Sequence, residues 1–317
     1  MTPVGAATGR PGHSLVSVLL RAWRYLVPVG QPLVPYAPER LTRAALSRAL
    51  RPCPQLWGWS AEGERRRSAL RSYRWAFPDE DADAFISAAI LARADSLATA
   101  MTYIARTQAG RRSELVRPAA LPDAGGGPCI IAHLHYAIDP VVQLALIAAS
   151  GEGRLRWAVY PAQPRGARRW EGERSLLLAG RMPPALAESM LYVTELSWLI
   201  EALRHLGQRG SVLLALDSLL DARRAPDTFL EIGQARMPVS PAIELLAEAA
   251  GARLLFAWPE LREDGTWRLR CEQFPDIAVL AAAASRWIEG NPLYWAGWPY
   301  LTWRLRRGDM EPGLVAM

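Results

Sequence analysis

Three residues within one short stretch carry the strongest chemical signal in this chain: His133, His135 and Asp139. An imidazole beside a carboxylate suits general-base chemistry. The carboxylate fixes the ring's tautomer and stabilises its charged form while the free ring nitrogen takes a proton from an alcohol. His135 and Asp139 stand at i, i+4, a spacing that shares one face if the segment is helical. A core histidine with a satisfied hydrogen bond gives the same pattern without catalysis. Two features favour chemistry. The chain has four histidines in all, and two of them sit here. The segment also follows a predicted strand, and the carboxyl ends of parallel strands are where α/β sheets open their ligand crevices.

The elements that must position these residues are legible around them. A Gly-rich turn, Gly125 to Gly127, leads into the apolar run Cys129–Ala132, which reads as a buried strand. An apolar helix follows over Pro140–Ala149. Further strands are expected at Leu155–Tyr160, Ser211–Leu216, Thr228–Ile232, Arg253–Trp258 and Trp267–Cys271. Further helices are expected at Pro184–Met190, Glu195–Leu206, Ser240–Ala250 and Ile277–Glu289. This alternation predicts an α/β fold with helices on the faces of a sheet. Residues 38–117 read as helical: Pro38–Leu50, an arginine-rich run through Arg65, Arg66, Arg67, Arg71 and Arg74, and a long helix opened by Phe77-Pro-Asp-Glu-Asp and running to about Ile104. The organisation is therefore a tail and helix over residues 1–37 and one domain over 38–317, with a helical part to 117 and an α/β part from 118.

Ser14 to Val27 predicts a helix with one narrow polar stripe, Ser14, Ser17, Arg21 and Arg24, on an otherwise apolar cylinder. Such a helix either packs on its own domain or lies in a membrane interface, with Trp23 and Tyr25 at headgroup level. No stretch reads as long and apolar enough to span a bilayer, and no signal peptide of ordinary form is present.

Half of the 317 residues are hydrophobic, enough for a substantial core and against global disorder. The net charge is +6 and every one of the 37 basic residues is arginine. Arginine binds phosphate through two parallel hydrogen bonds, so anionic lipid, an acidic carrier protein or nucleic acid are the partners this balance admits. Only the closing Trp- and Arg-rich segment would suit a nucleic acid, so no nucleic-acid partner is expected. Cys53, Cys129 and Cys271 are too far apart for a metal motif or a disulfide framework, which suits a reducing compartment, and no metal is expected.

An ordered series of blocks resembles the lysophospholipid acyltransferase superfamily, and within it the lipid A late acyltransferase branch of lauroyl and myristoyl transferases. Arg74-Trp-Ala-Phe-Pro-Asp is similar to the block that opens a long helix in that branch. Ile130-Ile-Ala-His-Leu-His-Tyr-Ala-Ile-Asp resembles its strand and His-x4-acid motif. Leu206-Gly-Gln-Arg-Gly-Ser-Val-Leu-Leu-Ala-Leu-Asp resembles its Gly-x-x-Val block, with Asp217 at the end. Phe229-Leu-Glu-Ile-Gly, the segment from Met237 to Ala252, and Pro292-Leu-Tyr-Trp-Ala-Gly-Trp follow in family order. Each block alone is weak; their order and spacing are more specific, and they span most of residues 15–307.

The resemblance implies a mixed central sheet of glycerolipid acyltransferase type. It implies transfer of a fatty acyl group from an acyl carrier protein or coenzyme A thioester to a hydroxyl of a lipid or glycolipid. His135 would be the general base and Asp139 its orienting partner, with no cofactor beyond the thioester co-substrate. It also implies a peripheral place on the cytoplasmic face of a bacterial inner membrane. A substrate-binding arginine is implied between the catalytic and Gly-x-x-Val blocks, with Arg174 and Arg181 as the candidates, and Asp217 is expected in a site-lining or structural role. Separately, Arg165, Arg168, Arg169 and Arg174 crowd the loop after the second predicted strand, where they either bind phosphates or an acidic carrier or are simply solvated. One departure stands out. The family leaves four residues between histidine and acid; here Pro140 occupies that place and Asp139 comes one residue early, a rotation of about 100° on a helix. A catalytically inactive, membrane-associated scaffold is the alternative this departure raises. A condensation-type acyltransferase, whose His-x3-Asp spacing fits better, is a further one, although its paired histidines and glycine are missing here. Trp295, Trp298, Tyr300 and Trp303, interleaved with Arg304, Arg306 and Arg307, predict a membrane-facing C-terminal segment.

Overall fold

The computed structural model describes residues 34–52, 63–117, 121, 127–151, 153–159, 188–193, 197–218, 227–299 and 301. The helix expected over Ser14–Val27, the candidate arginines Arg169, Arg174 and Arg181, and Tyr300, Trp303, Arg304, Arg306 and Arg307 lie outside the described residues.

The architecture is α/β with a mixed sheet. Its strands are β1 (Val116–Arg117), β2 (Cys129–His133), β3 (Leu155–Val159), β4 (Met190–Tyr192), β5 (Ser211–Ala215), β8 (Arg253–Leu261) and β9 (Trp267–Phe274), in the spatial order β1-β9-β8-β2-β5-β3-β4. Every neighbouring pair is parallel except β8 with β9. The two strands that will matter for the site are central. β2 and β5 carry Cys-Ile-Ile-Ala-His and Ser-Val-Leu-Leu-Ala, nearly all of them buried. Such unbroken apolar runs belong in the middle of a sheet covered on both faces. A separate two-stranded hairpin, β6 (Phe229–Ile232) and β7 (Ala235–Pro238), stands beside the sheet.

Seven α-helices are described: α1 (Glu39–Leu50), α2 (Glu64–Ala76), α3 (Ala82–Gln108), α4 (Asp139–Ser150), α5 (Ser197–Gly207), α6 (Pro241–Ala250) and α7 (Ile277–Gly290). α4 crosses from β2 to β3, α5 leads into β5, and α6 leads into β8, so helices and parallel strands alternate as the sequence pattern predicts. The helix expected to end at Met190 differs, because Met190 opens β4 and pairs with Trp157. α3 starts at Ala82 because the Asp81 carboxylate accepts the N–H groups of Asp83 and Ala84; Pro78 lies in the turn before this cap.

The expectation that no segment reaches bilayer-spanning length does not hold for α3. Its 27 residues are long and apolar enough by length and composition, and half of its apolar window is buried inside the protein. The helix is also tied to its neighbours by polar contacts. Buried Glu39, at the start of α1, accepts hydrogen bonds from the Ser113 hydroxyl and the Glu114 N–H, just beyond the end of α3, and lies 3.7 Å from Arg106 within it.

The helical part and the sheet share one apolar core. Tyr73 of α2, Phe85 of α3 and Phe77 pack around Trp298, with Tyr73 and Phe85 stacked at 3.6 Å between ring centroids. The Ser68 hydroxyl donates to the Pro299 carbonyl at 2.7 Å. The described C-terminal aromatics therefore face inward: Trp295 and Trp298 are 2% and 1% exposed, which corrects the expectation of a membrane-facing pair. Aromatic residues interleaved with arginines fit an interface and a core equally well as a pattern. What decides is whether an apolar surface waits for them, and α2 and α3 provide it.

The β6–β7 hairpin turns through Gly233 and Gln234. Gly233 has φ +56°, and a Cβ there would overlap the Ala76 carbonyl oxygen, which accepts the Gln234 N–H at 2.9 Å. Gly233→Ala should lower unfolding free energy by about 1–3 kcal/mol, because strain and a backbone clash add. Urea denaturation checks this, and an unchanged midpoint would mean the α2–hairpin contact is loose.

Candidate active site

β2 and β5 lie side by side in register, with His133 paired to Ala215. Two residues beyond that pair on each strand stand His135 and Asp217. The parallel ladder runs past the strand ends: the Leu216 N–H donates to the His133 carbonyl at 2.7 Å. The next bond of a regular ladder would join the His135 N–H to the Leu216 carbonyl. Here the His135 N–H goes instead to the Asp217 carboxylate, at 3.1 and 3.2 Å from its two oxygens, while the Leu216 carbonyl accepts from Ser240. The side chain of Asp217 thus takes over where the backbone ladder stops.

That placement brings the carboxylate onto the imidazole. His135 Nδ1 lies 2.7 Å from Asp217 Oδ1. A carboxylate accepts, so Nδ1 carries a proton, and in the neutral ring Nε2 keeps its lone pair. The two side chains differ sharply in exposure: 40% for His135 and 1% for Asp217. A buried acid therefore backs a reachable base. The other carboxylate oxygen, Oδ2, accepts the indole N–H of Trp295 at 2.9 Å. An ionised buried carboxylate needs several donors, and Asp217 has the imidazole, a backbone amide and an indole.

Asp139 does not take the partner role its spacing suggests. Its Oδ1 lies 3.3 Å from Nδ1 of His133, and its Oδ2 accepts from the Gln143 amide at 2.9 Å. The cause is local. The helix starts at Asp139 itself, with Pro140 following, so Asp139 sits in the first turn of α4 beside the buried end of β2 rather than beside the loop that carries His135. A carboxylate is well placed there, at the positive end of the helix dipole. His133 Nδ1 also lies 2.9 Å from the Leu134 carbonyl, which can only accept, so Nδ1 holds the proton. His133 is 1% exposed, and its ring lies 6.1 Å from that of His135 between centroids. The two histidines thus have different environments: His133 is buried with Nδ1 on the Leu134 carbonyl, and His135 is partly exposed with Nδ1 on Asp217.

The loop that carries His135 is pinned on two sides. The Tyr136 hydroxyl donates to the Ala257 carbonyl of β8 at 2.6 Å, and its ring meets Trp287 edge-on at 4.8 Å. Burial pushes the Tyr136 phenol well above its ordinary range, so it acts as a fixed donor. On the other side the segment after the short 3-10 helix Pro292–Tyr294 runs antiparallel to the loop. The Ala137 N–H donates to the Tyr294 carbonyl at 2.8 Å and the Ala296 N–H to the His135 carbonyl at 2.7 Å.

Among the sequence-derived candidates the structure therefore brings together His135 and Asp217, and places Asp139 with His133. Trp295, expected at a membrane, sits on the carboxylate. One signal for the Asp217 contact was present in the sequence: two apolar runs, each followed within three residues by a residue able to do chemistry. Among the described residues no group of three or more His, Cys, Asp or Glu side chains gathers in a way that could hold a metal ion. Cys129 and Cys271 are buried, and burial raises both thiols, that of Cys271 to about 12, so neither is poised as a nucleophile. No protein-family model matches this chain, and no curated protein matches it significantly.

The contrast in exposure has a direct chemical readout. Diethyl pyrocarbonate acylates accessible neutral imidazoles, so peptide mapping of the native protein should find His135 modified and His133 untouched until the chain is unfolded. Equal labelling of both in the folded state would mean that the strand end is open.

Proposed function

We propose that this chain is an O-acyltransferase that moves a fatty acyl group from an acyl carrier protein or coenzyme A thioester to a hydroxyl of a lipid or glycolipid. The observation that carries the reading is the buried Asp217 carboxylate on Nδ1 of a reachable His135, at the carboxyl end of two central parallel strands. The ordered sequence blocks supply the reaction type and point to a glycerolipid acyltransferase-like fold. The described sheet is single, with one small hairpin beside it, which argues against the two-lobed condensation-type alternative.

The chemistry follows from the dyad. Nε2 of His135 takes the proton of the acceptor hydroxyl as its oxygen attacks the thioester carbonyl. A carbon–oxygen bond forms, and the oxyanion collapses with cleavage of the carbon–sulfur bond. The imidazolium returns its proton to the leaving thiolate, so an ester and a free thiol result. Asp217 stabilises the imidazolium while it exists and holds the reactive nitrogen outward. Neither a covalent enzyme intermediate nor a metal is required by this sequence of steps. The off-register Asp139, which favours an inactive protein when read from the motif alone, loses that weight once Asp217 supplies the carboxylate. A peripheral place on the cytoplasmic face of a bacterial inner membrane is part of the proposal, since the acceptor would be a membrane lipid. Arg169, Arg174 and Arg181 remain the candidates for binding its phosphates or the carrier.

The test is acyl transfer by purified protein, with acyl carrier protein and coenzyme A thioesters as donors, membrane lipid extract as acceptor and mass spectrometry of the lipids. His135→Ala should lower the rate by about 10²–10⁴-fold, the usual worth of a general base. Asp217→Asn should lower it by roughly 10²-fold or more through loss of the ring's orientation. Asp139→Asn should cost less than about tenfold, since its carboxylate hydrogen-bonds Gln143 and not His135. Rates that fall most in Asp139→Asn would return the motif acid to the centre of the mechanism. No product from any donor, with the protein folded and bound to lipid, would favour the scaffold.

A further inference from the structure

We propose that Trp295 is a positioning residue of the His135–Asp217 dyad, and that Gly297 is the residue that lets it act. The inference rests on the acyltransferase reading for its catalytic consequence, but its geometry stands apart from that reading. Trp295 Nε1 donates to Asp217 Oδ2 at 2.9 Å, and Oδ1 of the same carboxylate receives His135 Nδ1 at 2.7 Å. The two donors approach different oxygens. The carboxylate is therefore held by its far oxygen while its near oxygen faces the imidazole, and rotation of the group would break both bonds at once.

The indole is itself held in three ways. Its own backbone bridges to Tyr136 in the loop that carries His135, with flanking bonds from Ala137 to Tyr294 and from Ala296 to His135. Its ring meets Trp298 edge-on at 4.8 Å, and the indole N–H of Trp298 donates to the Pro292 carbonyl at 2.7 Å. Its third neighbour is defined by an absence. A Cβ on Gly297 would overlap Cε2 and Cζ2 of the Trp295 indole and crowd Nε1. The ring folds back over its own chain two residues on, and only glycine leaves that space. Trp295 is 2% exposed, so its N–H is shielded from bulk water. A tryptophan placed merely to fill the core would need none of this: its N–H could face any carbonyl, and the residue beneath it could carry a side chain.

Selective ¹⁵N labelling of histidine gives a test that needs no substrate. A proton shared between an imidazole nitrogen and a buried carboxylate resonates far downfield, and loss of the signal in His135→Gln assigns it. Trp295→Phe keeps an aromatic ring and removes the donor; Gly297→Ala keeps the donor and displaces it. Each variant, folded by thermal unfolding and circular dichroism, is expected to lose or broaden the downfield His135 proton. Where acyl transfer is observed, each is expected to lower kcat roughly tenfold with KM unchanged, as befits one hydrogen bond to a charged group. A downfield proton that persists in Trp295→Phe, or in Gly297→Ala should the first variant fail to fold, overturns the proposal. Absence of acyl transfer by the wild type would sink the functional reading alone, and the proton signal would still decide the role of Trp295.

Discussion

The structure depends on the register between two parallel strands. β2 and β5 pair residue for residue up to His133 and Ala215, and two residues beyond that pair stand His135 and Asp217. That equality of length puts the imidazole of His135 and the carboxylate of Asp217 at the same height. A slip of one residue on either strand would turn one side chain to the opposite face, because side chains alternate. The buried apolar runs of both strands oppose such a slip: Ile130, Ile131, Val212, Leu213 and Leu214 are all fully buried, and a shifted register would place alanine where a larger chain is needed. The hydrophobic core thus sets the position of a polar contact.

A carboxylate at the end of such a strand creates its own demand. Asp217 is buried, and a buried charge with too few donors costs more than most single contacts return. The fold meets that demand with the His135 amide and imidazole and the Trp295 indole. The indole comes from the far end of the chain, and the same C-terminal segment packs Trp298 against Tyr73, Phe77 and Phe85. The helical part therefore reaches the site through one aromatic cluster.

Much of this was legible in the sequence, and what was not has a common cause. The alternation of apolar runs with amphipathic helices gives the α/β class and most strands to within a few residues, because burial on one or two faces leaves a local period. The position of His135 at a strand end was legible for the same reason. The identity of its partner was not. Asp139 is four residues away along the chain and Asp217 is more than eighty, and local spacing favours the first. The start of α4 at Asp139, with Pro140 after it, turns that carboxylate to His133, a consequence of helix geometry that a motif does not encode. Asp217 was legible as a candidate at a strand end but not as the partner of His135, since strand order is a property of the whole sheet. Trp295 was misread as a membrane-facing residue because composition does not say which apolar surface an aromatic ring will meet.

The measurement that bears most directly on this account is a double-mutant cycle on unfolding free energy, with His135→Gln and Asp217→Asn, and a second cycle pairing His135→Gln with Asp139→Asn. A charge-assisted hydrogen bond in a shielded site predicts a coupling of about 1–3 kcal/mol for the first pair. The second pair should be additive to within about 0.5 kcal/mol, as for residues without a shared bond. The reverse result, coupling with Asp139 and additivity with Asp217, would contradict the assignment of the dyad and with it the role given to the strand register.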